Sequence, residues 1–306
     1  MNAEELLAKY REVVSSNKEE IVEDYRRIEK EVEESSAKYL GEPVEFLYQP
    51  MFLTPNDITW LEGVLSELTR MLLKTVEKYR TDEDFRKVFP FSERAEELIL
   101  IDPGYEDPFP MGRFDVFYDF HGGLKFCEFN TDGSSGMNEA RVLQRIISNS
   151  RAMNLFDDDY DVSYFDPMEN WTDRILEIYS EFVGGTEKPE TIAIADFEGD
   201  GISSEFREYQ KKFEKRGHRT LIVDPRELEY DGKDLFAGSD RIDLVYRRAT
   251  TKKVLDHYDE VEFYTSVPIT IVPFAPLGFG NNGLFKQETE MYSVFGQVDY
   301  ALNDNL

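Results

Sequence analysis

The chain has 306 residues, enough for one large domain or two ordinary ones, and 41% hydrophobic and 14% aromatic residues can build a real core. Its 63 acidic residues outnumber 35 basic residues and give a formal net charge of -28. Such a charge repels phosphate backbones and anionic membranes, which argues against nucleic acid or a membrane as a partner. A single cysteine, an acidic N-terminus unlike a signal peptide and the lack of a long apolar run predict a cytoplasmic protein without an intrachain disulfide or a membrane partner.

The first 110 residues predict helices separated by short turns. Residues 2–38 predict one broken helix or two, with the junction at 15–17. A long core-packing helix is predicted over 56–80, where apolar residues recur at spacings of three and four: Ile58, Leu61, Leu65, Leu68 and Leu72. A shorter helix is predicted at 92–100, and prolines and a glycine predict a loop at 102–110.

Two runs of alternating residues within 111–131 flank a His-Gly-Gly sequence and predict a β-hairpin. Side chains two residues apart in a strand point to the same side, so the charged and amide residues of each run share one side of their strand. Two stand in the first run and two in the second: Arg113, Asp115, Glu128 and Asn130. We call these four residues the hairpin face.

The length of the hairpin loop decides whether the two halves of the hairpin face meet. An even-numbered loop, for example 120–123, places Asp115 opposite Glu128 and the other two residues opposite each other. An odd-numbered loop places the halves on opposite sides of the sheet, and the sequence leaves both registers open. Cys127 falls on the other side of its strand from Glu128 and is expected to be a small buried hydrophobe.

In the even register the hairpin face presents two carboxylates, an amide oxygen and a guanidinium. Two carboxylates opposite each other in a sheet repel, and a cation between them removes that cost. Magnesium takes oxygen ligands from carboxylates, amides and phosphates, while Arg113 can bind a phosphate through two hydrogen bonds. The set is what a nucleotide–magnesium site needs, although an exposed hairpin with a salt-bridged polar side is an alternative interpretation because such hairpins are common.

The remaining elements change in character from about residue 190. A loop at 132–136 and a helix at 138–150 follow the hairpin. Later, the apolar runs "TIAIADF", "RTLIVD" and "IDLVYRR", with an amphipathic helix after the first of them, predict a parallel sheet with Rossmann-like winding. The loop 196–206 lacks the third glycine of a dinucleotide fingerprint and is interpreted as an ordinary strand-to-helix loop. A further strand is predicted at 267–274.

The stretch "GRFDVFYDFHGGLKFCEFNTDGSSG" resembles the signature of glutathionylspermidine synthetases and their relatives, the circularly permuted ATP-grasp carboxylate–amine ligases. In that family an arginine, followed two residues later by an aspartate, starts one strand, and a Glu-x-Asn-x-Asp run ends the next. The hairpin face and Asp132 match this pattern residue by residue. Arg247 and Arg248 resemble the family's paired arginines at a strand end, and 267–283 resembles the stretch that leads into the nucleotide-binding half.

The resemblance implies an α/β fold, with a Rossmann-like parallel-sheet (pre-ATP-grasp) domain and a helix-covered antiparallel sheet that forms part of an ATP-grasp-like domain. We expect the N-terminal helices and the hairpin sheet in 1–184, the pre-ATP-grasp domain in 185–275 and the start of an incomplete nucleotide-clamp segment in 276–306. The implied function is an ATP- and Mg²⁺-dependent ligase that joins a small-molecule carboxylate and an amine through an acyl phosphate.

The same resemblance implies roles for individual residues. Asp115, Glu128 and Asn130 would hold magnesium ions that bridge the phosphates of ATP. Arg113 would act as the catalytic residue and bind the cofactor, because it stabilises the charge of the transferred phosphoryl group, and Lys286 is the other expected cofactor-binding residue. The implied substrate-binding residues are Asp132, Ser134, Ser135, Arg247 and Arg248.

The sequence departs from the family pattern in the nucleotide clamp. Asn282 stands where a lysine is expected after a Gly-Asn pair, and Lys286 lies about one helical turn away. No second lysine strand with a glycine-rich loop precedes Leu306. Because asparagine cannot neutralise a phosphate, three interpretations stay open. The chain is truncated, it needs a partner (a second copy or a complementing polypeptide), or it is a non-catalytic binding protein on a degenerate ATP-grasp scaffold.

Overall fold

The computed structural model describes residues 2–106, 108–119, 123–199 and 203–261. The helices are α1 (Ala3–Ser16), α2 (Lys18–Glu34), α3 (Pro55–Thr81), α4 (Glu83–Arg86), α5 (Glu93–Ile99), α6 (Met137–Ser148), α7 (Arg151–Asp157), α8 (Pro167–Val183), α9 (Ser203–Lys215) and α10 (Thr251–Asp256). The strands are β1 (Lys38–Tyr39), β2 (Glu42–Pro43), β3 (Arg113–Tyr118), β4 (Leu124–Asn130), β5 (Thr191–Ala195), β6 (Arg219–Val223), β7 (Leu228–Tyr230), β8 (Leu235–Ala237), β9 (Asp240–Ile242) and β10 (Leu244–Arg247). Lys286, the predicted strand at 267–274 and the predicted clamp segment at 276–306 lie outside the described residues.

The first two helices confirm the predicted broken helix, with Asn17 at the junction. They pack with α6 and α7 around a core that includes Tyr10, Ile28, Ile146 and Phe156. All four side chains are almost completely buried. This packing fixes the position of α6, the helix that follows the hairpin, against the two N-terminal helices and α7.

The helix α3 confirms the predicted long helix, but its expected burial is wrong for its first half. Its deeply buried residues, Val76 and Tyr79, lie near its C-terminal end, whereas Ile58 is 45% exposed. The buried end packs against Phe129 of the hairpin. A helix of 27 residues is about 40 Å long and hairpin strands of 6 and 7 residues about 20 Å, so this small sheet covers only part of the helix.

The hairpin formed by β3 and β4 has the pairing expected of an even-numbered loop, although its loop is odd-numbered. Asp115 lies opposite Glu128, and the other two residues of the hairpin face are paired as well. Near the turn, however, Tyr118 pairs with Leu124, which leaves the odd-numbered loop 119–123. A shift of register between Asp115 and Val116 restores the predicted pairing at the hairpin face.

The register shift explains why the expected burial of Cys127 is wrong. Glu128 pairs with Asp115 and Phe126 pairs with Val116, so Cys127 is the extra residue of a β-bulge. Its side chain is exposed instead of buried. A bulge interrupts the alternation of sides in a strand, and an argument from period two fails at that position.

The predicted parallel sheet is present, with the strand order β10-β5-β6. All five residues of β5 are buried, and α8 and α9 pack against the sheet through Ile175 and Phe213. This core therefore extends across position 184, where a domain boundary is predicted. The antiparallel sheet β7-β8-β9 contacts β5 through its strand β9. The protein is thus a mixed α/β structure with a small parallel sheet and antiparallel sheets.

Across the four described ranges, the structure contains no helix with the length and hydropathy needed to cross a membrane.

Candidate functional site

The candidate site consists of the hairpin face and the loop 131–136, which connects β4 to α6. On the other side of the hairpin, the rings of Phe114 and Phe129 stack at a centroid distance of 4.0 Å and pack with the apolar cluster that includes Val76 of α3. Because successive residues of a strand point to opposite sides, this packing directs the hairpin face away from α3. Aromatic packing on one side thus positions the polar residues on the other.

The best-defined contact of the hairpin face is a two-pronged ion pair between Arg113 and Asp115. The Arg113 Nε donates to Asp115 Oδ1 at 2.6 Å, and the Arg113 Nη2 donates to Oδ2 at 2.9 Å. The Asp115 side chain is only 3% exposed, whereas 28% of the Arg113 side chain is accessible to solvent. The third guanidinium nitrogen, Nη1, donates to the carbonyl oxygen of Ser135. Arg113 therefore links the hairpin to the loop 131–136.

The second strand completes the hairpin face with an amide between two carboxylates. The Asn130 Nδ2 donates to Glu128 Oε1 at 2.9 Å and lies 3.4 Å from Asp115 Oδ2. The Arg113 Nη2 lies 4.0 Å from Glu128 Oε1. The four side chains converge on one side of the sheet, and nitrogen donors stand between the carboxylates where they would otherwise repel.

The expected substrate-binding residues come together in the loop 131–136 and at the end of β10. Asp132 accepts from Arg247 Nη2 at 2.9 Å and from the backbone nitrogen of Thr251 at 2.7 Å. The Ser134 hydroxyl donates to the Asn130 carbonyl oxygen at 2.7 Å, and the Ser134 carbonyl oxygen accepts from Arg248 Nη1. Both guanidinium groups therefore reach the loop that follows the hairpin.

The paired arginines differ from Arg113 in their burial. The side chains of Arg247 and Arg248 are 1% and 4% exposed. In addition, Arg247 donates to the carbonyl oxygen of Ala249 at 2.5 Å. Groups so deeply buried and bonded to protein oxygens act first as anchors of the loop.

Sequence reasoning missed Glu205, a completely buried residue of α9. Its Oε1 accepts from three backbone nitrogens at the start of α6: that of Gly136, the residue before the helix, at 3.1 Å, and those of Met137 at 3.0 Å and Asn138 at 3.4 Å. Its Oε2 accepts from Arg248 Nη2 at 3.1 Å. An acidic residue in an amphipathic helix usually faces solvent, so the sequence carries no signal for this role.

A second acid, Glu139, was also missed and lies in the first turn of α6. It is buried, and neither of its carboxylate oxygens has a hydrogen-bond partner among the described residues. Burial, followed by the charge of Glu205, raises the pKa of Glu139 to about 7, against the opposing charges of Arg248 and Arg113. The sequence gives no warning, because acids are common in the first turn of a helix.

The donor types of the hairpin face fit a hard cation, although their present arrangement does not. Within the part of the chain that the structure describes, no group of three or more His, Cys, Asp and Glu side chains could hold a metal. A magnesium ion here would take two carboxylates and need the Asn130 amide oxygen as a third protein ligand. Two changes would be required. Asn130, which now directs its Nδ2 to the carboxylates, would have to turn its amide oxygen to the metal, and Arg113 would have to release the Asp115 carboxylate. Both are changes of side-chain conformation.

A family model described as glutathionylspermidine synthase preATP-grasp matches residues 9–222. The match begins in α1, contains the hairpin face, the loop 131–136 and Glu205, and ends in β6. It crosses the predicted boundary at 184, and that boundary stays a prediction. No curated protein matches the chain.

Proposed function

Because the chain belongs to the glutathionylspermidine synthase preATP-grasp family, we propose that it is an ATP- and Mg²⁺-dependent carboxylate–amine ligase that forms an amide through an acyl phosphate. The observation that carries this proposal is the convergence of Arg113, Asp115, Glu128 and Asn130 on one side of a hairpin. Family membership supports a relation to ATP-grasp ligases. The reaction, the cofactors and the roles of the residues belong to the proposal.

Arg113 is proposed to hold the phosphoryl group. Its Nε and Nη2 now form the fork that binds the Asp115 carboxylate, and the same fork matches two oxygens of a phosphate. The Arg113 side chain is more exposed to solvent than its partner Asp115. In a protein of net charge -28, an anionic ligand needs such a local positive group.

Asp115, Glu128 and the amide oxygen of Asn130 are proposed to hold magnesium. When bound, Mg²⁺ would supply positive charge that neutralises the phosphate oxygens of ATP. A cation would replace the nitrogen donors that now stand between the two cross-strand carboxylates and would likewise keep their charges from repelling. With Asp115 as a magnesium ligand, the Arg113 fork would be available for phosphate.

Asp132, Ser134 and Ser135 are proposed to border the substrate site, with Arg247 and Arg248 behind them. Their placement directly after the hairpin face supports this role, since the carboxylate substrate must reach the phosphoryl group. Buried arginines that hold backbone and carboxylate oxygens give the loop a fixed shape. The identity of the carboxylate and of the amine does not follow from these contacts.

The proposal is tested by calorimetric titration of the full chain with ATP, with and without magnesium, followed by an assay of ADP release. Glutathione and spermidine, the two molecules in the family's name, are the first substrates to add. We expect ATP binding that depends on magnesium, and ADP release only when both substrates are present. Binding of ATP that is equally strong with EDTA would contradict the role of the hairpin face.

The second candidate is a non-catalytic binding protein on the same scaffold, and the asparagine at position 282 favours it. In that case ATP and magnesium bind but no pair of substrates releases ADP. The variant Asn282→Lys separates the candidates through ADP release: the added charge should raise ATP affinity in both cases, but it should raise ADP release with the two substrates only in a ligase. A partner that supplies the missing lysine, either a second copy or another polypeptide, should instead restore ADP release when it is added to the parent chain.

A further inference from the structure

A buried network connects the parallel sheet to the start of α6 and lies directly behind the candidate site. Its centre is the ion pair between Glu205 and Arg248, whose side chains are 0% and 4% exposed. From this network we infer that Glu205 is a positioning residue, which fixes the loop 131–136 and thereby aims the guanidinium of Arg113. The inference rests on the proposed function only for the phosphate that Arg113 would bind.

The first step runs from Glu205 to the start of α6. One carboxylate oxygen accepts from three consecutive backbone nitrogens, those of residues 136–138. The first amides of a helix have no partner within the helix and carry partial positive charge, so a buried anion from another helix stabilises them. Glu205 therefore fixes where the loop ends and α6 begins.

The second step runs from Glu205 through Arg248 to the middle of the loop. Arg248 Nη2 donates to Glu205, and Nη1 donates to the Ser134 carbonyl oxygen and, at 3.0 Å, to the Tyr246 hydroxyl. Trp171 Nε1 in turn donates to that hydroxyl at 2.9 Å. Arg248 follows β10 directly, and the parallel sheet therefore sets the position of Ser134.

The third step runs from the loop to Arg113. Ser135 lies between the two fixed points, and its carbonyl oxygen accepts from Arg113 Nη1. Gly136 adopts a φ of 94°, and a Cβ on it would lie 3.5 Å from Arg113 Nη1, so the loop closely approaches the guanidinium. Because the loop holds Nη1, the Nε–Nη2 edge of the guanidinium is directed at the other residues of the hairpin face. There it now binds Asp115, and in the proposed function it would bind phosphate.

The test follows the Nε–H signal of Arg113 by ¹⁵N NMR in the full chain, together with hydrogen exchange of the amides of residues 135–138. The variant Glu205→Gln keeps an oxygen for the helix amides but removes the charge that pairs with Arg248. Glu205→Asp keeps the charge but shortens the side chain, and it serves if the first variant does not fold. The matched control is Glu208→Gln, because Glu208 lies on the same helix and pairs with Arg141 of α6 at 2.9 Å.

We expect both Glu205 variants to shift or broaden the Arg113 signal and to speed exchange of the loop amides at least tenfold, while the control changes neither. Faster amide exchange with an unchanged Arg113 signal would mean that Glu205 only caps α6, and the inference would be wrong. An Arg113 signal that moves equally in the control would also overturn it.

A second readout uses ATP with magnesium. Glu205→Asp should weaken its binding about tenfold in the parent background and have no further effect once Arg113 is replaced by Met. Equal losses in both backgrounds would indicate general destabilisation and contradict the positioning role. A parent chain that binds no ATP would contradict the proposed function instead, and the NMR comparison would still decide the role of Glu205.

Discussion

Two arginine–carboxylate pairs lie on either side of the loop 131–136 and differ in their exposure to solvent. In the Arg113–Asp115 pair the side chains are 28% and 3% exposed, and in the Arg248–Glu205 pair they are 4% and 0% exposed. The chemistry of the partners is the same. The first pair, which we call the open pair, is accessible to solvent through Arg113. In the second, the buried pair, aromatic rings of Phe206 and Tyr246 lie over the guanidinium.

This difference in exposure separates a ligand-binding role from an anchoring role. A partly exposed arginine such as Arg113 can exchange its carboxylate for a phosphate, because water and a ligand can reach its side chain. A completely buried pair cannot exchange partners without leaving a charge unpaired, which costs several kcal/mol. The resemblance implied substrate binding for Arg247 and Arg248 alike, and the burial of the second pair favours an anchoring role for Arg248.

The largest expected effect comes from breaking the buried pair. Replacement of Arg248 with Met leaves the Glu205 carboxylate buried without its charged partner, and it should lower the free energy of unfolding by about 3–5 kcal/mol. Urea unfolding measures this loss. The control is Arg27→Met, since Arg27 forms ion pairs at the surface of α2 and should change stability by no more than about 1 kcal/mol. Equal losses in the two variants would remove the distinction between buried and open pairs.

The next effect concerns Glu139, whose pKa responds to the arginines of both pairs. Its pKa in the folded chain is raised from 4.5 to about 7, so the folded state keeps a proton that the unfolded state has lost between these values. The contribution of Glu139 to stability therefore falls as the pH rises from 4.5 through 7, by about 3 kcal/mol in total, and it levels off once the folded chain has also lost the proton.

The variant Glu139→Gln cannot lose a proton and should not show this fall. Relative to the parent, it should gain about 3 kcal/mol of stability between pH 4.5 and pH 7.5, as measured by urea unfolding at several pH values. A difference between variant and parent that does not change with pH would show that Glu139 ionises normally. It would then have a partner that neutralises its charge.

The sequence predicts those parts of the fold and of the site in which the backbone is regular. The run "TIAIA" predicts a buried strand, and all five residues of β5 are buried. Strands of a parallel sheet are covered on both sides, and the pairing of β5 with β6 contains no bulge, so the burial of each residue does not depend on the register. The hairpin face was predicted from period two, but its pairing depends on the bulge at Cys127, which no residue pattern signals. The meeting of the two halves of the hairpin face was therefore predictable only as one of two registers.

The buried pair was not predictable from the sequence as a pair. Glu205 and Arg248 are 43 residues apart. Glu205 resembles an ordinary surface residue of its helix, and nothing in the sequence marks it as the partner of Arg248. The partial burial of α3 was also missed, because periodicity identifies an apolar side of a helix but not the length of what covers it. Long-range packing decides both cases.

A smaller effect on stability is expected when the open pair is modified with its charge retained. Arg113→Lys keeps the positive charge beside Asp115 but loses the fork geometry, so the free energy of unfolding should fall by only about 1 kcal/mol. ATP affinity in the presence of magnesium should fall about tenfold, equivalent to about 1.4 kcal/mol. Calorimetry and urea unfolding measure the two quantities. A larger loss of stability than of binding would mean that the open pair is structural as well.

The most direct test of the central claim is the magnesium affinity of the variant Glu128→Gln, measured by calorimetry beside its free energy of unfolding. The substitution keeps the shape of the side chain and removes one of two facing carboxylates, so stability should change by no more than about 0.5 kcal/mol. The control is Glu62→Gln, an exposed position on α3. If the hairpin face holds magnesium-bound phosphate, the Glu128 variant loses most of its affinity for magnesium and ATP while the control binds like the parent. If the Glu128 variant binds both as the parent does, the hairpin face is only a salt-bridged polar surface.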